Sequence, residues 1–174
     1  PEAKSELEIT NFFNALGDKN KLMTCFAGAG VYDHYTPSAI PSIIERSEFL
    51  TSYTPYQAEI SQGTLHYIFE FQSMIAELTN MDVDHASTFD GYTDTVEAML
   101  VANASSSKNN TILYSETIDP KIVEVLKTYA HFQNIKLVAI KNNDGVTSSK
   151  DLEEKIAEGG VAGVIVQQPN YYGI

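Results

Sequence analysis

Tryptophan is absent from the 174 residues, and cysteine and arginine occur once each, as Cys25 and Arg46. One thiol cannot form an intramolecular disulfide or a zinc site built from several cysteines, and it suits a reducing, intracellular compartment. Cations are scarce as well: 11 Lys and Arg stand against 23 Asp and Glu, a formal net charge of −12. Nucleic acid and anionic membrane surfaces both demand a basic patch, so that balance excludes them as partners. No run of about 18 apolar residues is present to span a bilayer, and the charged segment after Pro1 contains no hydrophobic signal region. The expectation is a soluble, cytoplasmic protein. There is no solenoid-period repeat and no Pro-rich or Ser-rich linker, and a chain of this length can bury roughly 70% of its unfolded surface in one domain.

The hydrophobic pattern divides the chain into a helical first part, residues 1–80, and an alternating second part, residues 81–174, with one domain expected in all. Ser5 and Glu8 form a capping box ahead of Ile9, Phe12, Phe13 and Leu16, an i, i+3, i+4, i+7 stripe that Gly17 ends. Thr36 and Pro37 read as the N-cap and first residue of a short helix whose stripe is Ile40, Ile43 and Ile44, with Pro41 bending it or delaying its regular start. Leu65, Ile68, Phe69, Gln72, Ile75 and Leu78 share one face of a longer helix. Phe71 and Met74 widen that face enough to predict burial on more than one side. Asp90 caps the next helix, which Val96, Met99 and Leu100 anchor. Strands are expected at residues 111–115, 136–140 and 161–167. Between them lie a helix from Asp119-Pro120, with Ile122, Val125, Leu126 and Tyr129 inward, and one from Ser148 to Glu158, stopped by Gly159-Gly160. Such alternation predicts parallel βαβ units and an α/β fold.

Few residues offer chemistry outright. Gly28 and Gly30 lack the third glycine of a dinucleotide fingerprint and open no helical pattern, so a phosphate role is not expected of them. Asp33 with His34, and Asp82 with Asp84 and His85, lack the spacing of metal motifs, and no metal site is expected. The exception is residues 53–63, Tyr-Thr-Pro-Tyr-Gln-Ala-Glu-Ile-Ser-Gln-Gly. Pro55 fixes its own φ and drives Thr54 toward extended geometry, so the flanking Tyr53 and Tyr56 have little backbone entropy to lose on binding. With Gln57 and Glu59 they offer two phenol hydroxyls, an amide and a carboxylate, which could line a pocket for a small polar ligand or meet a partner chain. A Pro-anchored surface turn packed on the neighbouring helix is the plainer reading of the same residues.

That stretch, with Phe69-Glu-Phe-Gln-x-Met-Ile-x-Glu-Leu-Thr after it, resembles the glycine-cleavage P-proteins, which are pyridoxal-phosphate-dependent glycine decarboxylases. Phe26-Ala-Gly-Ala-Gly-Val-Tyr-Asp-His-Tyr, Phe89-Asp-Gly and Gln168-Pro-Asn-Tyr-Tyr-Gly agree in order, so the resemblance runs over most of the chain. Asp90-Gly91 is similar to subunit 1 of the split, two-subunit bacterial form, where single-chain forms tend to carry Asp-Glu. The resemblance implies the first part of a fold-type I pyridoxal-phosphate (aspartate aminotransferase-like) large domain after an N-terminal helical segment. It also implies an assembled enzyme, a heterotetramer, that decarboxylates glycine and passes the aminomethyl group to lipoyl H-protein. Pyridoxal phosphate and its lysine would belong to a homologous subunit 2. This chain would support it with no catalytic or cofactor-binding residue of its own, and Tyr53, Tyr56, Gln57 and Glu59 are the candidates for substrate pocket or interface.

Pyridoxal-phosphate chemistry needs a lysine, a carboxylate at the pyridine nitrogen, and a helix N-terminus or hydroxyls for the phosphate. The lysines here lie in polar or helix-surface settings such as Lys108-Asn-Asn and Lys150-Asp-Leu, none desolvated for amine chemistry. By resemblance, the family's lysine follows well after the strand ending near Gln167, beyond Ile174. The family pattern Asp-Gly-Ala-Thr-Ala is replaced by Asp90-Gly91-Tyr92-Thr93-Asp94, which is bulkier and more acidic at the turn where phosphate would sit. The chain is therefore expected to be a fragment at both ends, inactive alone and without bound cofactor. Two alternatives stay open: a fragment of another fold-type I enzyme, such as an aminotransferase or cysteine desulfurase relative, and a non-enzymatic α/β interaction module.

Overall fold

The computed structural model describes residues 2–26 and 34–174; Gly28, Gly30 and Asp33, with the readings placed on them, lie outside the described residues. The chain forms two compact units, Pro1–Tyr32 and Asp33–Ile174. In the first, helix α1 (Glu6–Gly17) is entered through the expected capping box. Ser5 Oγ accepts the Glu8 amide at 3.3 Å, and the Glu8 carboxylate accepts the Ser5 amide at 2.8 Å. Gly17 is the last helical residue, and Asp18 closes the helix by donating its amide to the Asn14 carbonyl at 2.9 Å.

The second unit opens with two short helices, α2 (Ala39–Ile44) and α3 (Ser47–Leu50). The N-cap of α2 is Ser38 rather than Thr36. Pro37 belongs to the preceding turn, where its carbonyl accepts the Ile40 amide at 3.0 Å. Pro41 then falls in the first turn, which has no intrahelical use for its missing N–H. Helix α4 (Gln62–Thr79) ends on Asn80 in the left-handed region, φ 57°, which a short polar side chain tolerates. Burial of α4 on more than one side is not found. Leu65, Ile68, Gln72 and Ile75 are half-buried, whereas Phe69, Phe71, Met74 and Leu78 are exposed. The segment returning from α4 is tied to it by Gln72 Nε2, which donates to the Asp84 carbonyl at 2.7 Å.

The remaining elements are α5 (Gly91–Ser105), β1 (Thr111–Ser115), α6 (Pro120–Gln133), β2 (Lys136–Ile140), β3 (Asn142–Asn143), β4 (Val146–Thr147), α7 (Ser149–Ala157) and β5 (Val161–Ile165). β1 is the middle of a parallel three-stranded sheet ordered β2-β1-β5, with Leu113 opposite Val138 on one side and Val164 on the other. Val96 and Met99 of α5, Ile112 of β1, and Leu126 and Ala130 of α6 form its core with Ile118 and Ile135. Tyr129, expected inward, is 43% exposed, and Ala130 takes the buried position one residue on. Gly163 lets α5 settle on β5, since a Cβ there would lie 3.0 Å from Ala102 Cβ. The sheet strand β5 stops at Ile165, two residues short of the expectation. An unexpected hairpin joins β3 to β4 through Asp144 (φ 50°) and Gly145 (φ 81°), the paired positive φ angles of a type I′ turn.

Candidate functional site

From β1 the chain passes to β2 on one side, then crosses β1 to reach β5 on the other. The carboxyl ends of β1 and β5 therefore flank a topological switch point, the crevice that α/β sheets offer to ligands. Here hydrogen bonds of the chain itself cross that crevice. Gln167 Oε1 accepts the Asp119 amide at 2.9 Å, and the Thr117 carbonyl accepts the Tyr171 amide at 2.8 Å. From α5, the Tyr92 hydroxyl reaches Asp119 Oδ2 at 3.4 Å. Below, the hydroxyl of buried Ser115 lies 2.8 Å from that of buried Thr117 and 2.7 Å from that of Thr147. The leftover residues 166–167 that leave the sheet early are those that bring Gln167 to the β1 loop.

The first turn of α5 is the other place where an anion could be held. Asp90 Oδ1 accepts the amides of Tyr92 and Thr93, each at 2.9 Å, and Asp90 Oδ2 accepts the Thr93 hydroxyl at 2.8 Å. The Thr93 amide, then its hydroxyl, then the Tyr92 amide hold the Asp90 carboxyl below the usual aspartate range, so it stays charged. Asp94 adds a second carboxylate in the same turn, 3.4 Å from His85 Nε2. The amides and hydroxyl that a phosphate would use are thus committed to a fixed carboxylate. These residues do not fit a phosphorylated cofactor.

Lys155 departs from the surface setting expected of every lysine: its side chain is 17% exposed. It is paired with Asp151, 15% exposed, which also accepts the Lys141 amide at 2.8 Å. The bond from the Lys141 amide ties α7 to the end of β2, and the pairing within α7 engages the Lys155 amine. Near α4, His85 Nδ1 accepts the Ser87 amide at 3.0 Å, and its Nε2 lies 3.4 Å from Asp94 Oδ1. Among the described residues no three His, Cys, Asp or Glu side chains are grouped so as to hold a metal ion.

The tyrosine loop is a loop, except that Gln62 and Gly63 already belong to α4. Around Pro55 the chain turns tightly, the Tyr56 amide donating to the Thr54 carbonyl at 2.8 Å. Tyr53 and Tyr56 are 80% and 79% exposed, with ring centroids 6.0 Å apart at 60°. With Gln57 they line an open concavity of about 480 Å³. Glu59 is exposed and takes no part in the lining. Ile60, which sequence reasoning passed over, does line it and is 80% exposed. The signal was available, since Ile60 is an aliphatic side chain in an otherwise polar loop.

Comparison with known proteins follows the same lines. The family described as "Glycine cleavage system P-protein" matches residues 1–174. A relative from Bacillus subtilis (strain 168), "Probable glycine dehydrogenase (decarboxylating) subunit 1", is 48% identical over 175 residues, 99% of this chain and 39% of its own length. The protein of that name from Endomicrobium trichonymphae is 43% identical over 171 residues, 98% of this chain and 38% of its own. The chain spans about two fifths of the length of these curated relatives. A crystal structure described as glycine decarboxylase (P-protein) of the glycine cleavage system, in inhibitor-bound form, superposes with a TM-score of 0.83 at 34% identity. The superposition covers 98% of this chain and 38% of that one.

Proposed function

We infer the function of this chain from its family: it belongs to the glycine cleavage system P-proteins. Its fold is the α/β, fold-type I architecture of that family. We propose that it is part of subunit 1 of a two-subunit glycine dehydrogenase (decarboxylating), soluble in the cytoplasm and assembled as a heterotetramer with a homologous subunit 2. The assembled enzyme takes glycine, and it delivers the aminomethyl group to lipoyl H-protein. Pyridoxal phosphate, bound on subunit 2, supplies the electron sink for decarboxylation. Residues 81–174 contribute the first part of an α/β large domain, and residues 1–80 contribute helices and the tyrosine loop.

The observation that carries the supporting role is Asp90. Its charged carboxylate saturates the first turn of α5 through Tyr92 and Thr93, where a catalytic chain would leave room for phosphate. Hydrogen bonds of Gln167 and Tyr171 cross the neighbouring crevice. Tyr53, Tyr56 and Gln57 offer an aromatic and polar wall that another chain can complete, while Glu59 stands at the loop's outer side as an interface candidate. Family membership displaces the reading as a different fold-type I enzyme. The test uses the full chain alone and combined with subunit 2, incubated with pyridoxal phosphate, reduced with borohydride and peptide-mapped. Glycine decarboxylation is expected only for the combination, with the label on subunit 2. A stoichiometric label on one lysine within residues 1–174 overturns the reading.

A further inference from the structure

The first turn of α5 and the loop after β1 are joined through one side chain. Tyr92, half-buried, donates its hydroxyl to Asp119 Oδ2 at 3.4 Å, while its amide donates to Asp90 Oδ1 at 2.9 Å. Asp119 is 8% exposed, and its Oδ1 accepts the Lys121 amide at 2.8 Å. From α5 toward the sheet the order is thus a carboxylate on helix amides, an aromatic ring, and a buried carboxylate that accepts a hydrogen bond from that ring. Bound pyridoxal phosphate presents the same order: an anion at a helix N-terminus, then a ring, then a carboxylate at the ring nitrogen.

We propose that Asp90 and Tyr92 are a built-in substitute for the cofactor, the carboxylate standing in for the phosphate and the phenol for the ring. The inference rests on the reading of this chain as the subunit that binds no pyridoxal phosphate. Both groups are fixed to the backbone two residues apart. They therefore meet their partners without the loss of translational and rotational freedom that a free ligand suffers. The consequence is a subunit that holds α5 to the loop after β1 with its own atoms and reaches its folded state whether or not cofactor is present. Asp90 alone would be an ordinary helix cap. The phenol on Asp119 gives the pair the character of a ligand, because it adds a second anchor at the far side of a ring.

The experiment removes the substitute and offers a ligand in its place. Pyridoxine phosphate is the probe, since it has the ring and phosphate of the cofactor but no aldehyde to react with lysines. Inorganic phosphate at equal ionic strength is the anion-only control. Binding to the full chain without subunit 2 is read by calorimetry and by the ligand-induced rise in melting temperature. Asp90→Gly with Tyr92→Ala deletes both groups, and glycine is a tolerated N-cap. This double variant is expected to bind pyridoxine phosphate about tenfold more tightly than inorganic phosphate, and about tenfold more tightly than the wild type does. Adding Asp119→Ser, which keeps a capping oxygen for α6 but is too short to meet the ring, should abolish that preference. Ser148→Gly, which uncaps α7 instead, should respond to neither ligand. Asp90→Ser with Tyr92→Ala retains a capping hydroxyl and is held to the same outcomes should the glycine variant not fold. A folded double variant that ignores both ligands, or takes both equally, overturns this proposal alone. Tight binding of pyridoxine phosphate by the wild type overturns it together with the cofactor-free reading of this chain.

Discussion

Asn170 and Gly145 are joined across the carboxyl edge of the sheet, Asn170 Nδ2 donating to the Gly145 carbonyl at 2.7 Å. The same side chain accepts the amides of Tyr172 at 2.9 Å and Ile174 at 3.2 Å through Oδ1, and it is only 8% exposed. Asn170→Ala removes a partner from three backbone groups at once and is expected to cost at least about 1–3 kcal/mol. Asn170→Asp keeps the acceptor but sets a carboxylate against the carbonyl. Urea unfolding should place both midpoints below the wild type at unchanged slope; a wild-type midpoint for the alanine variant refutes the network.

Two glycines should fail differently. Gly145→Ala must hold φ 81°, at a cost of about 1–2 kcal/mol, whatever room its neighbours make. At Gly163 the obstacle is packing, with an added Cβ 3.0 Å from Ala102 Cβ and 3.3 Å from Ile112 Cδ1. Gly163→Ala is expected to lose about 1–3 kcal/mol by overpacking. Combining it with Ala102→Gly should return part of that loss, read as a coupling energy in a double-mutant cycle. Strict additivity would rule out the close approach of α5 to β5.

Acid should dissolve the α7 tie. The Asp151 carboxyl is held low first by its hydrogen bond from Lys155 and then by the Lys141 amide. A carboxyl depressed in the folded state adds stability that is present above its unfolded pKa, about 4, and lost as pH falls through the folded value. Asp151→Asn is therefore expected to melt below the wild type at pH 7, with the gap closing below about pH 4. A gap that persists undiminished into acid assigns the loss to something other than the charge.

For the tyrosine loop, Tyr53→Ala and Tyr56→Ala in the assembled enzyme should each weaken binding of glycine or H-protein about threefold to tenfold. The Phe variants separate ring from hydroxyl, since they keep the packing and delete only the hydrogen bond. Normal kinetics in all four variants, with association and cofactor saturation verified, would leave the loop as scaffold.

What the sequence revealed was mostly local. Ser5 and Glu8, or Asp90 and Thr93, are three positions apart, so their capping bonds follow from chemistry and spacing alone. β1 and β2 fell where expected because each is a short apolar run between polar turns. Periodicity identified the apolar face of α4 but carries no information about what covers it, so Phe69 and Leu78 were wrongly expected inside. Tyr129 was misplaced because Ala130, one step along the helix, is small enough to bury without signalling. Asp144-Gly145 is a strong hairpin signal that went unread between a strand and a helix. At the candidate site, Tyr53, Tyr56 and Gln57 were legible as neighbours because a single turn brings them together. The bond from Asp119 to Gln167 was not, since only the strand order β2-β1-β5 places those residues side by side.

That last bond also sets an order of events during synthesis. Asp119 and Gln167 are 48 positions apart, so β1, α6 and β2 can pair and bury Leu126 before Gln167 has emerged from the ribosome. At a translation rate of about 5–20 residues per second, the wait between the two residues is about 2–10 s. Through that interval the loop after β1 carries an unbridged Asp119 amide and an uncapped Thr117 carbonyl. Backbone groups at the sheet's carboxyl edge should therefore gain hydrogen-exchange protection last, after those of β1 and β2 have already become slow.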